Sequence, residues 1–275
     1  MPFRSAAAFV LAAILPLAAA SAAEPHPEAE LEIGVVGDLE IGPDGAVRTY
    51  EVTSKLAEPL TALVERKVRE WMFEPIAVDG KPVIAKTRAR LTLRAIPQGD
   101  DYQLRIEGVH FGEAAPSAAT TLKAPTYPRN AIREGIGARV MLVARLDADG
   151  RVIEVHPYQT SLDKPIKSDF TANKWRTAFE RASIAAVEDW RYDLTESIDG
   201  ATAGQTVMIP IQYSLSYGRT SAPNERWRQY IPGPVSPAPW QDDSRIAQLD
   251  DIGEGETRSL SSRFRLTRDP TGTVL

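Results

Sequence analysis

The chain of 275 residues contains no cysteine. This absence excludes disulfide bonds, thiolate metal sites and cysteine nucleophiles. Histidine is scarce as well, with three residues, and none of them is paired at the spacing that metal ligands use. Glycine-rich phosphate-binding loops are also missing. The sequence therefore predicts no metal site, no cofactor, no catalytic residue and no enzymatic activity.

An excess of basic residues is absent too. The net charge is −5 at pH 7, so the positive surface that nucleic-acid-binding proteins need is not expected, and nucleic acid is excluded as a partner. Residues 161–164, SLDK, match the Ser-x-x-Lys pattern of penicillin-recognising enzymes. The companion motifs Ser-Asp-Asn and Lys-Thr-Gly are missing, and we interpret the match as fortuitous.

Long apolar runs are confined to the N-terminus. A basic start, MPFR, is followed by an apolar segment rich in alanine and then by small residues, which predicts a secretory signal peptide over residues 1–23, cleaved after Ala22 or Ala23. The alternative is an uncleaved inner-membrane anchor. The run is short for that role and is interrupted by Pro16, whereas a membrane span needs about 20 apolar residues. We expect an exported, periplasmic protein.

The sequence contains two similar series of elements. In the first, residues 31–42 and 46–52 predict a hairpin, and residues 82–96 predict a later strand. Between them, apolar residues at steps of four, four and three predict a helix that ends by about Phe73, and they are Leu60, Val64, Val68 and Trp71. In the second series, strands are predicted at 138–146, 151–158 and 205–217, with a helix through Trp175 and Trp190.

The two series share turn and aromatic residues that we interpret as structural. Asp-Gly turns reverse the hairpins, and the tryptophans anchor each helix on its sheet. These residues are Gly45, Trp71 and Phe73 in the first series and Gly150, Trp190 and Tyr192 in the second. The predicted fold is α+β, with two tandem ββαβ units whose antiparallel sheets are each packed by a helix. The units span 31–112 and 126–217, separated by a linker at 113–125, and residues 218–275 form a Pro-rich, mostly irregular tail with a short strand at 261–266.

The second unit resembles the C-terminal domain of TonB over residues 122–217. The resemblance is carried by YPRNA at 127–131, DGRV at 149–152, WRY at 190–192 and the closing apolar strand. The first unit resembles a degenerate copy, most clearly in WMFEPIAVDGKPV at 71–83. TonB connects the energised inner membrane with outer-membrane transporters, so the resemblance implies a periplasmic protein-binding module.

The resemblance also implies where a partner binds. The family adds an extended partner segment to its final strand, here 205–215, and Pro210 suits the edge of a sheet because it has no N–H to donate. The implied partner-binding residues are Tyr127, Pro128, Arg129, Val207, Ile209, Ile211 and Tyr213. The partner would be a TonB-dependent outer-membrane transporter or another envelope protein. Alternatively the strand is interior or pairs with itself in a homodimer, Tyr127 and Pro128 only begin a helix, and the protein is an envelope scaffold without a transducing role.

Overall fold

The computed structural model describes residues 31–98, 101–117, 122–215, 230–241, 252 and 257–275. They form a mixture of helices and mostly antiparallel strands, so the predicted α+β class is confirmed at that level. The predicted signal peptide, residues 1–23, lies outside the described residues. Within the described ranges, no helix is both long enough and apolar enough to cross a membrane.

The N-terminal half builds the first sheet and one helix. Its elements are β1 Leu31–Ile41, β2 Val47–Val52, α1 Glu58–Val68, β3 Ala77–Val78, β4 Lys81–Pro82, β5 Ala85–Gln98 and β6 Asp101–Phe111. β1 pairs with β2 on one side and with β5 on the other, and β6 covers β5 from Ala89 to Gln98. Every second residue of β5 from Ala85 to Leu93 is buried, as expected for a strand with one face on a core.

α1 packs on this sheet through the predicted apolar stripe. Pro59 lies in the first turn, where its missing N–H costs no helical hydrogen bond, and Val64 and Val68 are fully buried. The helix ends at Val68, before the limit of about Phe73 that the sequence pattern indicates. The chain leaves it through tighter i→i+3 bonds, the last from the Trp71 N–H to the Val68 O at 3.0 Å. Trp71 therefore lies after the helix, and its side chain belongs to the same core cluster as Val64 and Val68.

The second half builds a second sheet around a longer helix. Its elements are β7 Ala114–Pro116, α2 Arg129–Glu134, β8 Ala138–Leu146, β9 Val152–Leu162, α3 Asp169–Val187, β10 Tyr192–Leu194, β11 Ser197–Ile198, β12 Ala201–Thr202, β13 Thr206–Tyr213 and β14 Arg258–Ser259. The strand order is β14-β13-β8-β9. α3 buries Phe179 and Val187 against this sheet.

The two sheets are joined by strands that cross between the halves. β11 pairs with β5 at Ala85 and Lys86, so the second half contributes a strand to the first sheet. β7 lies in the segment predicted to be a linker and pairs with β10. The described residues accordingly belong to one compact unit.

The recurring glycine and aromatic residues make the same contact in both halves. Gly45 has φ +81° and Gly150 has φ +75°. The Phe73 N–H donates to the Gly45 O at 2.9 Å, and the Tyr192 N–H donates to the Gly150 O at 2.8 Å. An added Cβ would lie 2.1 Å from the Phe73 O or 1.8 Å from the Tyr192 O. Glycine is therefore required both for its backbone conformation and for the close approach of the next segment.

The described residues of the C-terminal tail, 230–241, 252 and 257–275, are packed on both sheets. Its strand is β14 at 258–259, so the prediction of a strand at 261–266 was wrong. The reason is that residues 262–267 make single contacts with the segment between α1 and β3: the Glu74 N–H donates to the Arg265 O, and the Thr267 N–H donates to the Met72 O, each at 2.9 Å. Main-chain bonds to Ile106 and Leu104 then hold the last residues of the chain, 272–275.

Candidate partner-binding edge

The main-chain groups of β13 alternate between β8 and the opposite side of the strand. Gln205, just before β13, exchanges two hydrogen bonds with Leu146, at 3.1 and 2.7 Å. In an antiparallel pair, alternate residues direct both main-chain groups to the same neighbour. The main-chain N–H and C=O groups of the odd-numbered residues of β13 therefore point toward β8, and those of the even-numbered residues point away from it. We call these outward residues the β13 edge: Thr206, Met208, Pro210 and Gln212.

Pro210 lies at a position where its chemistry costs the sheet nothing. It is opposite Met141 of β8, and by the alternation its ring nitrogen faces the outer edge. No hydrogen bond to β8 is lost, because an N–H at this position would not point toward β8. The same geometry removes one donor from any strand pairing at the β13 edge.

The first part of the β13 edge is occupied by the protein's own tail. β14 pairs with Val207 and Met208. The Leu260 N–H donates to the Thr206 O at 2.7 Å, and the Thr206 N–H donates to the Ser261 Oγ at 2.8 Å. Further along, the Tyr230 hydroxyl donates to the Gln212 Oε1 at 2.8 Å. Among the described residues, main-chain pairing at this edge thus stops after Met208.

The predicted partner-binding side chains of β13 lie in the protein core. Val207, Ile209, Ile211 and Tyr213 are between 0% and 7% exposed, and all four belong to the cluster beneath α3. The Tyr213 hydroxyl is hydrogen-bonded to the Ser183 Oγ at 2.9 Å. Burial raises the pKa of Tyr213, and the Ser183 hydroxyl partly opposes that rise. These side chains support the strand, and only its main chain is directed at the edge.

Tyr127, Pro128 and Arg129 lie at the start of α2. The Tyr127 hydroxyl donates to the Ile136 O at 2.8 Å, and its ring packs edge-on against Tyr213 with centroids 5.3 Å apart. The structure therefore brings Tyr127 to the C-terminal end of β13. Pro128 is the N-cap residue of α2, and Arg129 is exposed. Of these three, Arg129 presents the most accessible side chain.

The second face of the sheet is covered by residues that the sequence pattern does not indicate. Met208 packs on this face with Met141 and Val143 of β8, and tail residues complete the cluster. Trp240 lies at its border, where the Arg145 guanidinium stacks 5.6 Å from the centre of its ring. β13 is consequently buried on both faces, which explains its almost uninterrupted apolar sequence.

A buried carboxylate fastens the tail beside the β13 edge. Glu196 is 6% exposed and accepts a hydrogen bond from the Arg263 N–H at 2.9 Å. The Gln205 Nε2 donates to the same carboxylate at 3.4 Å. Sequence reasoning missed Glu196 because its partners lie in the tail and next to β13, and no local motif marks such a pairing.

The described residues include no group of three or more His, Asp or Glu side chains arranged to hold a metal ion. Outside the core, His156 Nε2 lies 3.0 Å from the Ser236 O and 3.1 Å from its Oγ. Its ring is edge-on to Trp240, with centroids 6.1 Å apart. The contacts of His156 thus hold the tail on β9.

Two curated proteins are similar to part of this chain. Both are described as Protein TonB, one from Xanthomonas campestris pv. campestris strain B100 and one from strain ATCC 33913. Each is 23% identical over 106 residues, which are 38% of this chain, and the chain spans 41% of the length of either relative. No protein-family model matches the chain, and no solved structure gives a significant match. The similarity suggests a TonB-like domain within the chain.

Proposed function

We propose that this protein is a periplasmic protein-binding module that captures an extended segment of a partner by strand addition at the β13 edge. One observation carries the proposal: β13 directs alternate main-chain groups outward, and β14 pairs with only Val207 and Met208. The distant similarity to two proteins named TonB supports a protein-binding role in the cell envelope. The role is non-enzymatic.

Strand addition here would use main-chain groups more than side chains. Beyond the part of the edge that pairs with β14, the N–H group of Gln212 and the C=O groups of Pro210 and Gln212 face outward. Each net hydrogen bond contributes about 0.5–1.5 kcal/mol. A segment that binds through so few bonds needs further contacts, and exposed Arg129 and the half-buried Tyr127 near the end of β13 are the proposed source.

In its specific form, the proposal places the protein in energy-coupled outer-membrane transport, with a TonB-dependent transporter as the partner. It also takes the two halves of the chain as copies of one ββαβ unit. The shared contacts of Gly45 with Phe73 and of Gly150 with Tyr192 support the duplication. In the first half the edge corresponding to that of β13 belongs to β5, which β6 and β11 cover.

The proposal is tested by titrating the ¹⁵N-labelled full chain with synthetic extended peptides from TonB-dependent transporters. We expect amide shifts within residues 205–213, strongest at Gln212. The matched control is the same peptide with alternate backbone amides N-methylated, which removes the donors that pair with β13. If the shifts fall outside 205–213, or if N-methylation leaves them unchanged, strand addition at β13 is refuted.

The second candidate is an envelope scaffold with no transducing role, whose edges serve assembly or a homodimer. The closure of β5 by β11, a strand from the other half, favours it, because the chain already uses strand pairing to join its parts. Sedimentation of the full chain separates the candidates. A dimer that Gln212→Pro disrupts would support self-pairing at the β13 edge, whereas a monomer that responds to the peptides supports capture.

A further inference from the structure

Residues 257–261, TRSLS, hold the β13 edge in the way that a bound peptide would. We propose that this segment, which we call the internal strand, competes with the partner for the edge, and that it shows what the edge selects: an extended segment with a small residue followed by an aliphatic residue. The inference rests on the proposed strand addition at β13 and goes beyond it by naming a competitor and a sequence preference.

The main chain of the internal strand is paired as an added strand is. Val207 lies opposite Ser259, and Met208 lies opposite Arg258. The Leu260 N–H continues the ladder to the Thr206 O at 2.7 Å. Because even-numbered residues of β13 face outward, Val207 and Ser259 form the non-hydrogen-bonded pair, in which side chains are closest.

The side chains of the internal strand fill two different sites. Leu260 is 3% exposed and belongs to the apolar cluster with Met208 and Met141. Ser259 lies against Gly112, where an added Cβ would be 3.2 Å from both its Cβ and its Oγ. The Ser259 Oγ is buried and has no hydrogen-bond partner. The first site therefore accepts an aliphatic side chain, and the second has room only for a small one.

The internal strand pairs with a much shorter stretch of β13 than β6 and β11 pair with on the corresponding edge of β5. β6 pairs with β5 at ten positions and β11 pairs with it at two more, whereas β14 pairs with β13 at two. A short ladder is the one that opens most easily, since local opening follows the number of contacts that must break. If the internal strand occupies the edge most of the time, the apparent affinity for a partner is the intrinsic affinity multiplied by the fraction of molecules whose edge is open.

When the internal strand separates from the β13 edge, the tail residues that follow it keep it close to that edge. Beyond it, the Arg263 N–H is bonded to buried Glu196, and the Thr267 N–H and Oγ1 both donate to the Met72 O. A competitor tethered through a few residues has a high effective concentration. The tail therefore sets a threshold of affinity that a partner segment must exceed.

The test uses a fluorescent synthetic peptide of residues 256–262, ETRSLSS, and the full-length protein. Both Leu260→Ala and Ser261→Ala should weaken the pairing of the internal strand with β13. Leu260→Ala removes most of a buried side chain, and Ser261→Ala removes the acceptor of the Thr206 N–H. We expect each to bind the peptide about five-fold or more tightly than the wild type, the effect of a hydrogen bond of about 1 kcal/mol. Phe170→Ala, which removes an exposed side chain of α3, should leave the affinity unchanged.

A disulfide provides the opposite perturbation. The pair Val207→Cys and Ser259→Cys has the strand geometry that a disulfide requires, and the chain has no other cysteine. We expect the oxidised protein not to bind the peptide and the reduced protein to bind it. A circular dichroism spectrum confirms that each variant is folded, and Ser261→Ala keeps the test valid if Leu260→Ala is unfolded.

Three results would overturn the inference. The weakened variants bind no better than the wild type, the oxidised protein binds as well as the reduced one, or a peptide with aspartate in place of Leu260 binds equally well. If one of these occurs while transporter peptides still shift the amides of 205–213, capture at β13 stands and only the internal competitor is refuted. If no extended peptide shifts those amides in any variant, both proposals fail.

Discussion

Replacement of Gly150 by alanine tests whether the contact between turn and aromatic strand stabilises the fold. An ideal Cβ at Gly150 lies 1.8 Å from the Tyr192 O, a separation that forces the backbone to move. Gly200 is the matched control, because its φ of +78° is close to the +75° of Gly150 and no heavy atom lies within 4 Å of its added Cβ. Both substitutions place an alanine in a left-handed backbone conformation, but only Gly150→Ala also brings a Cβ against the Tyr192 O.

The magnitudes follow from that difference. A left-handed conformation costs an alanine about 1–2 kcal/mol, which is the whole effect expected for Gly200→Ala. At Gly150 the displacement also breaks the bond from the Tyr192 N–H to the Gly150 O, about 1 kcal/mol. It shifts the buried Tyr192 ring as well, and strained packing costs about 1–3 kcal/mol. We expect Gly150→Ala to lower the free energy of unfolding by about 3–6 kcal/mol.

Urea unfolding followed by circular dichroism measures both values. Gly45→Ala should behave like Gly150→Ala, since its Cβ would lie 2.1 Å from the Phe73 O. The reasoning would be refuted if Gly150→Ala and Gly200→Ala were equally destabilising, because the close approach would then contribute nothing. A large loss at Gly150 with none at Gly45 would show that the two halves do not depend on the same contact.

Further measurements address the core and the tail. Tyr213→Phe removes the hydrogen bond to Ser183 and should cost about 1 kcal/mol in urea unfolding, without a change in the far-ultraviolet spectrum. Glu196→Ala removes the acceptor of the Arg263 N–H, which should cost about 1 kcal/mol and speed proteolysis of the tail; unchanged cleavage would contradict the role of Glu196. Burial raises the pKa of Tyr192 and of Tyr213, so above about pH 10, where tyrosines of the unfolded chain ionise, the unfolded state binds fewer protons and stability should fall as pH rises. A stability that is constant between pH 9 and 11 would contradict their burial.

Local signals in the sequence predict that the hairpins and the two longer helices exist, although α1 ends at Val68 and α3 at Val187, both earlier than the apolar spacing indicates. The Asp-Gly turns at 79–80 and 199–200 adopt positive φ at both residues, as expected of tight hairpin turns. The apolar stripe of α1 faces the core as its spacing predicts. These features depend on neighbours within a few positions, and such preferences are visible in one sequence.

The sheet edges are not predictable in the same way. β11 and β14 have two residues each, too few to show any alternation, and their partners β5 and β13 are distant in the chain. The sequence also does not reveal that the Pro-rich tail covers the second face of the β13 sheet. The apolar run at 207–211 indicates burial on both faces, but the resemblance to the TonB C-terminal domain implied an edge whose side chains contact a partner. The structure assigns Val207 and Ile209 to the core instead.

The way the chain closes its edges supports the proposal that a partner binds at β13. Free strand edges invite pairing with other chains, and proteins cover them. On β2, side chains of α1 and of its C-cap residue do so: the Val52 N–H donates to the Glu65 Oε1 at 3.3 Å, and Arg69 donates to the Tyr50 O at 3.3 Å. On β9, residues 231–236 do so through main-chain bonds. Among the described residues, the β13 edge has a short, interrupted cover, and Pro210 limits what can replace it. An edge that is covered weakly, by a segment tethered at its far end, can exchange its own strand for another without unfolding either sheet.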